Sequence, residues 1–400
     1  MHKTIETPAI LLDLNVLEGN ICNFHTAAKK SGKEIWPMLK THKSTKIAQM
    51  QHKHAASGFL CGTLDECEML ERTLEDISIM YAYPVASEPN LGRVISLAKS
   101  KRCRFYIRID NHAHAEILNQ AAKMADVQIN YTLIVNSGLN RFGIEVRDVE
   151  SFMSKMAIYT NLNFMGISTH SGHAYIMEPE DVSASDKMAR VAIAAKQEMA
   201  IMKEAQQALT NMGLEPKLIT SGSTPTYMHT VNADGIDILH PGNYVFMDYM
   251  QMDLGCAKEK DCALTVLATV ISAKQNNEYI IDAGSKCFGD QAVHGSKSIE
   301  GYGYIKNHPG LVLYSLSEEV GKIRGSGGSQ LYVGQKIEII PNHSCSTANM
   351  TSWYVCTRDG VVDEMLPKIE VDMRSNLTAK SKVRACCHYG NVTIFEAILR

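Results

Sequence analysis

The 400-residue sequence has no apolar run that reaches the ~20 residues needed to cross a bilayer. It has no block of basic residues, and a formal net charge of −3 gives no reason to expect nucleic-acid binding. The opening MHKTIETPAILLD lacks an apolar core followed by a small-residue cleavage site, so no secretory signal is expected. Regular cysteine spacing is missing as well. The 11 cysteines are odd in number and scattered, many of them in apolar stretches, which excludes a disulfide-stapled scaffold. Free thiols in a reducing cytoplasm are the expectation. There is no low-complexity linker and no internal repeat beyond an alternation of strands and helices.

What is present is ordinary globular material, with 45% hydrophobic and 21% charged residues, long enough to bury a substantial core. After TPAILLD and the helical LNVLEGNICNFHTAAKKSG come eight strand-like runs: EIWPML, GFLCG, ISIMYAY, RFYIRI, INYTLIV, FMGIST, KLITSG and GIDIL. Most of the segments between them read as helices. TLDECEML opens with a capping box, Thr63 and Glu66, and the helix from Ser185 to Met212 is stopped by Gly213. Strand–helix alternation implies a parallel sheet, and eight repeats imply a closed (β/α)8 TIM-type barrel, with a doubly wound open sheet as the other option. Near residue 256 the pattern turns to strands divided by turn signals such as Asn276-Asn277 and Asp359-Gly360. The expected fold is therefore α/β: a barrel over 7–255 followed by a mostly-β domain over 256–400, joined by residues 1–6.

Barrels of this kind carry their active sites at the carboxyl ends of the strands, with phosphate held after strands seven and eight. Lys40 closes the first run and would reach that face. The seventh run leads into Ser221-Gly222-Ser223-Thr224, where small residues and hydroxyls suit a phosphate, and the eighth into His240-Pro241-Gly242-Asn243. Alone, each is bland: a solvated lysine, a turn, a loop. Their joint placement at one barrel mouth suggests a phosphorylated aldehyde cofactor, pyridoxal phosphate held by Lys40 as a Schiff base. His343 and Cys345, two residues apart at the end of a strand, would share a face and favour a borderline-soft ion, zinc above manganese or magnesium.

In these motifs the chain resembles fold-type III pyridoxal-phosphate enzymes of the D-serine dehydratase and D-threonine aldolase group. The resemblance runs from TPAILLDLNVLEGNI through PMLKTHKS, GTLDECEML, NSGLNRFGIE, THSGHAY, SGSTPT, HPGNYVFMD and YIIDAGSK to PNHSCSTANM. It implies an alanine-racemase-like barrel with a β domain, a homodimer, and Lys40 as the cofactor lysine. It further implies Gly222, Ser223, Thr224, Gly242 and Asn243 as phosphate residues, and Arg141 and Tyr175 as candidates near the pyridine ring. Where the family has an arginine and a histidine before the lysine, this chain has Trp36 and Met38. The family's metal lies where His343 and Cys345 stand, and a cysteine at the second position accompanies dehydratase-like members. The implied reaction is β-elimination from a β-hydroxy D-amino acid to a 2-oxo acid and ammonia, with Lys40 as base and the metal on the β-oxygen. The alternatives are an aldolase-type cleavage to glycine and an aldehyde, with His173 as base, a racemase, and a non-enzymatic cofactor carrier. His42 is expected to pack or hydrogen-bond beside Lys40. Partners are expected to be limited to a small D-amino acid, with neither nucleic acid nor membrane.

Overall fold

Each of the eight apolar runs forms a parallel strand. The computed structural model describes residues 4–176, 186–274, 276–289, 299–325 and 330–368. After β1 (Ala9–Asp13) the barrel strands are β2 (Glu34–Ile35), β3 (Gly58–Cys61), β4 (Ile77–Tyr81), β5 (Cys103–Ile109), β6 (Ile129–Ile134), β7 (Leu162–Ser168), β8 (Leu218–Ser221) and β9 (Ile238–Leu239). They pair in the order β2-β9-β8-β7-β6-β5-β4-β3. The remaining seam between β2 and β3 is held by a single bridge, Met38 to Leu60, and by Leu60 N–H donating to Pro37 O at 2.9 Å. The barrel is thus nearly closed.

Helices α1 (Leu14–Lys30), α2 (Thr45–Lys53), α3 (Leu64–Thr73), α4 (Glu88–Lys99), α5 (His112–Met124), α6 (Val149–Met156) and α7 (Lys187–Asn211) accompany these strands. Their starts follow capping chemistry. Asp13 Oδ1 accepts from Asn15 and Val16 N–H at the start of α1, and Thr63 Oγ1 accepts from Glu66 N–H at the start of α3. Alternation along β5 divides its side chains. Phe105, Ile107 and Ile109 join the layer between strands and helices, while Tyr106 joins Trp36, Leu60, Met80 and Ile238 in a separate cluster.

The second sheet has nine strands. β10 (Leu264–Lys274), β11 (Glu278–Ile281), β12 (Gly303–Ile305), β13 (Leu311–Leu316), β14 (Gly321–Gly325), β15 (Lys336–Pro341), β16 (Trp353–Arg358) and β17 (Val361–Pro367) take the order β11-β14-β13-β12-β15-β10-β1-β16-β17. Because β10 also pairs with β11, six of these strands close on themselves. β12 and β14 were not among the sequence-read strands, and residues 369–400 of the expected β domain lie outside the described residues.

One placement differs from the sequence reading. The opening strand β1, grouped there with the barrel over 7–255, belongs to the second sheet, between β10 and β16. Its apolar face would suit either sheet; what decides is long-range pairing with Leu264–Leu267 and Val355–Thr357. The same core extends across the junction. Leu14, Leu17 and Ile21 of α1 and the segment Tyr244–Met247 after β9 pack with the strands of the second sheet. That shared packing fixes the barrel mouth against the short helix Ser344–Asn349, which follows β15.

Candidate active site

A cavity at the carboxyl ends of the barrel strands is lined by Lys40, Arg141, Tyr175, Gly222, Ser223, Thr224, Gly242, Asn243, His343 and Cys345 together. All the candidate catalytic, cofactor and metal residues of the sequence reading therefore meet there except His173. Met38, Tyr83, Arg108, His170 and His240 line it too.

Lys40 does not sit on a strand. β2 ends at Ile35, and Lys40 is in a single 3-10 turn, Leu39–Thr41. Its Nζ lies 3.4 Å from Tyr83 Oη, and the exposed Arg141 guanidinium covers the same Tyr83 ring at 5.8 Å. From the opposite sheet, Asn349 Nδ2 donates to Lys40 O at 3.1 Å and Cys345 Sγ lies 3.4 Å from Thr41 Oγ1. The turn is clamped from both sides. His42 is buried, with Gln51 Oε1 3.2 Å from Nε2 and Ser44 N–H donating to Nδ1.

The segment after β8 is a nest of hydroxyls. Ser171, Ser223 and Thr226 lie within 2.8–3.1 Å of one another. Gly222 turns the chain with φ +107°, a region glycine enters without strain, and its N–H donates at 3.0 Å to Oε1 of Glu198 on α7. Glu198 is fully buried; burial raises its pKa, against the opposing pull of Ser221, Ser171, the Gly222 N–H and Thr226. Gly242 approaches the Lys40 turn so closely that a Cβ would lie 2.9 Å from Thr41 Oγ1 and 3.0 Å from Met38 Cβ. Around this concavity, Asn243 Oδ1 and His240 Nε2 are buried without a hydrogen-bond partner among the described residues. A lysine amine, hydroxyls and a close-approach glycine are donors and space that suit pyridoxal phosphate.

His343 and Cys345 are not on a strand either. β15 ends at Pro341, His343 caps the short helix and Cys345 is in its first turn. They still face one cavity, because the buried Asp248 anchors the turn: its Oδ2 accepts from Ser344 N–H at 3.0 Å and from His343 Nδ1 at 3.1 Å. With Nδ1 so engaged, Nε2 is left as the ligating nitrogen. Burial disfavours charge on Cys345, but His343 and the Thr41 hydroxyl outweigh it and hold the thiol below its ordinary value. Burial also opposes a charged His343, yet Cys345 and Asp248 hold it up, to about 10. The thiolate is the metal-binding form, whereas a metal on His343 Nε2 would displace the proton that this environment favours on the imidazole. Among the described residues no group of three or more His, Cys, Asp or Glu gathers, so the chain offers two donors and leaves positions for water and substrate. That donor set fits a catalytic metal.

His173 lies behind the cavity against Gly138, and His170 takes the place facing it. His170 Nδ1 is 3.2 Å from Gly222 O, and burial, with Lys40 and Arg141 nearby, lowers its pKa to about 3, so it is neutral. Sequence reasoning also passed over Arg108. Its guanidinium is buried, donating from Nε to Ser168 Oγ at 2.9 Å and from Nη2 to Thr169 O at 3.3 Å. An arginine at an alternate position inside an apolar strand, RFYIRI, is the signal that could have found it. The departures from the family pattern have packing roles: Trp36 is buried among Leu60, Met80, Tyr106 and Ile238, and Met38 forms a cavity wall.

Residues 12–250 match the model of the alanine racemase N-terminal domain, and residues 263–357 match a serine dehydratase domain. The chain belongs to the alanine racemase N-terminal domain family. It is 29% identical to D-serine dehydratase of Dictyostelium discoideum over 382 residues, covering 88% of this chain and 93% of that one. It is 27% identical to 3-hydroxy-D-aspartate aldolase of Paracoccus denitrificans (strain Pd 1222) over 92% of each chain. The solved D-threo-3-hydroxyaspartate dehydratase from Delftia sp. HT23 superposes with a TM-score of 0.82 at 25% identity, covering 92% of this chain and 98% of that one. A cysteine-to-alanine variant of that dehydratase was solved in a metal-free form. The family's relatives are thus dehydratases and aldolases, and the barrel-plus-β architecture is that of fold-type III pyridoxal-phosphate enzymes.

Proposed function

We propose that this protein is a pyridoxal-phosphate- and metal-dependent dehydratase that eliminates water from a β-hydroxy D-amino acid, giving a 2-oxo acid and ammonia. The observation that carries the reading is the convergence of Lys40, a hydroxyl-lined phosphate cradle and the His343–Cys345 pair on one cavity. When bound, pyridoxal phosphate supplies an electron sink for the substrate's α-carbon, and a metal ion supplies Lewis-acid polarisation of the β-oxygen.

The chain's own groups do the rest. Lys40 holds the cofactor aldehyde and, once its amine is free, removes the Cα proton. Tyr83, 3.4 Å from Nζ, orients that amine. Gly222, Ser223, Thr224, Gly242 and Asn243 hold the phosphate. His343 Nε2 and the Cys345 thiolate hold the metal, zinc being the ion that suits one imidazole and one thiolate. Tyr175 is kept a neutral phenol by burial, then by Asp248 and Cys345, and receives a hydrogen bond from Gln251 Nε2 at 3.0 Å. With Arg141 it lines the cavity and would lie near the pyridine ring of a bound cofactor. His170, lining the cavity where His173 does not, is the histidine placed to contact cofactor or substrate. A homodimer in the cytoplasm suits the resemblance and the nine free thiols among the described cysteines.

Relatives named as aldolases make retro-aldol cleavage the second reading. A non-enzymatic cofactor carrier has no use for a thiolate–imidazole pair beside its lysine. Product analysis decides. D-Threonine supplied to the enzyme with pyridoxal phosphate and zinc is expected to give 2-oxobutyrate and ammonia. Glycine and acetaldehyde would establish the aldolase instead, and absence of turnover on D-threonine, D-serine and 3-hydroxy-D-aspartate would overturn both.

A further inference from the structure

The two halves of the cavity meet at one carboxylate. Asp248 is 0% exposed. Its Oδ1 accepts the Gln251 N–H at 2.9 Å and caps the short helix Tyr249–Asp253, which is a local structural duty. Its Oδ2 does something else. That single oxygen accepts from Asn243 Nδ2 at 2.5 Å, from Ser344 N–H at 3.0 Å, from Ser344 Oγ at 3.3 Å and from His343 Nδ1 at 3.1 Å. Asn243 stands on the phosphate side and His343 on the metal side, 100 residues apart in the sequence. Asn243 Nδ2 adds a second link at 2.9 Å to Ser344 Oγ and a long one, 3.8 Å, to Cys345 Sγ. The Ser344 N–H contact caps the helix Ser344–Asn349, but no helix cap requires those to Asn243 and the His343 ring.

We propose that Asp248 is a positioning residue that couples the two sites, so that metal binding raises the affinity for pyridoxal phosphate and the cofactor raises the affinity for metal. The inference rests on the function proposed above. The physical route is short. A cation on His343 Nε2 draws electron density from the imidazole and makes Nδ1–H a stronger donor to Oδ2. The tightened contact fixes Oδ2, and with it the amide of Asn243 and the backbone turn that carries it to the phosphate. Ordering that a first ligand has already imposed need not be imposed again by the second. Linkage makes the effect reciprocal by the same factor in both directions.

The test measures two dissociation constants in each of two states. Pyridoxal phosphate is titrated by its absorbance with and without saturating zinc, and zinc is titrated by competition with a chromophoric chelator with and without pyridoxal phosphate. In the native sequence each ligand is expected to tighten the other about tenfold, within the range usual for coupled sites. Asp248→Asn should weaken zinc about 10- to 100-fold, as loss of a ligand-orienting partner does, and should bring the coupling ratio to one. Asn243→Ala, which removes the amide joining the phosphate side to Asp248 and Ser344, should also abolish the ratio, and it serves where Asp248→Asn fails to fold. A merely structural Asp248 would lower both affinities in its variant but leave the ratio intact, and that result overturns the inference. So would independent binding of zinc and cofactor to the native sequence. A native protein that takes up no zinc overturns the proposed metal site and this coupling with it.

Discussion

The barrel side and the second-sheet side of the cavity are built in opposite ways. On the barrel side, hydroxyls, a left-handed glycine and backbone amides are packed around the fully buried Glu198. On the other side, a histidine and a cysteine stand on one short helical turn and are aimed by one carboxylate. The first design suits a large anionic group that must stay put. The second suits a small cation that leaves coordination positions free. On the proposed function, phosphate affinity is a property of the packed barrel, whereas the reaction depends on a side-chain pair carried by the short helix that follows β15 of the other sheet.

The largest effect should come from breaking the second side alone. Cys345→Ala removes one of the two proposed protein ligands, and zinc affinity should fall at least about a hundredfold, since losing even an outer partner costs 10- to 100-fold. The cofactor absorbance should persist while elimination stops. Undiminished, chelator-resistant turnover in this variant would mean that the metal side is not part of the chemistry. Breaking the barrel side should do less and do it elsewhere. Glu198→Ala strands the buried Gly222 N–H, which costs about 1–3 kcal/mol, and loosens the turn that holds the phosphate. The dissociation constant for pyridoxal phosphate should rise about tenfold, the energy of one such bond, while zinc affinity measured without cofactor stays within about twofold. Glu198→Gln keeps an acceptor for Gly222 and should recover most of the loss. Equal losses for zinc and cofactor would erase the distinction between the two sides.

The same contrast explains what the sequence revealed. Every barrel strand was legible, because buried parallel strands are short apolar runs set between helices, and Lys40, Ser223 and Gly242 could be placed by strand order alone. The second sheet was harder. GYI of β12 is three residues long, and GKIRG of β14 alternates charge with apolar residues, so neither forms an apolar run. β1, not counted among the eight strands, was grouped with the barrel domain because its partners lie more than 240 residues away. In the site, His343 and Cys345 were found for a reason the structure replaces: they converge through a capped turn, not through strand alternation. Asp248 and Glu198 were invisible, since a carboxylate that orients a neighbour carries no spacing signature. His173 was preferred over His170 because only the fold shows which of two histidines three residues apart faces the cavity.

The smallest effect concerns both regions together and separates packing from chemistry. His25, His42 and His114 lie away from the cavity, buried, with pKa values lowered by desolvation to about 4, about 3 and about 4. Two of them are acceptors for backbone donors: Val85 N–H reaches His114 Nε2 at 3.0 Å and Ser44 N–H reaches His42 Nδ1 at 3.1 Å. A proton on those nitrogens would break the bonds. The unfolded chain protonates near 6.5, so it binds more protons than the folded chain between that value and about 3. The stability these histidines contribute is complete above pH ~6.5 and is lost progressively as pH falls through that window. A depression of this size is worth on the order of 3–5 kcal/mol at most per site. Glu66 and Glu198 work in the opposite direction, because burial raises their pKa values and favours the folded state as they protonate. With His170 and His240 also lowered to about 3, five depressed histidines against two raised carboxyls and the raised His343 predict a net loss. Urea midpoints of the cofactor-loaded protein should be lower at pH 5 than at pH 7.5, and His114→Gln should flatten part of the difference. A midpoint that holds or rises at pH 5 would show that the buried carboxyls, not the histidines, dominate the acid limb.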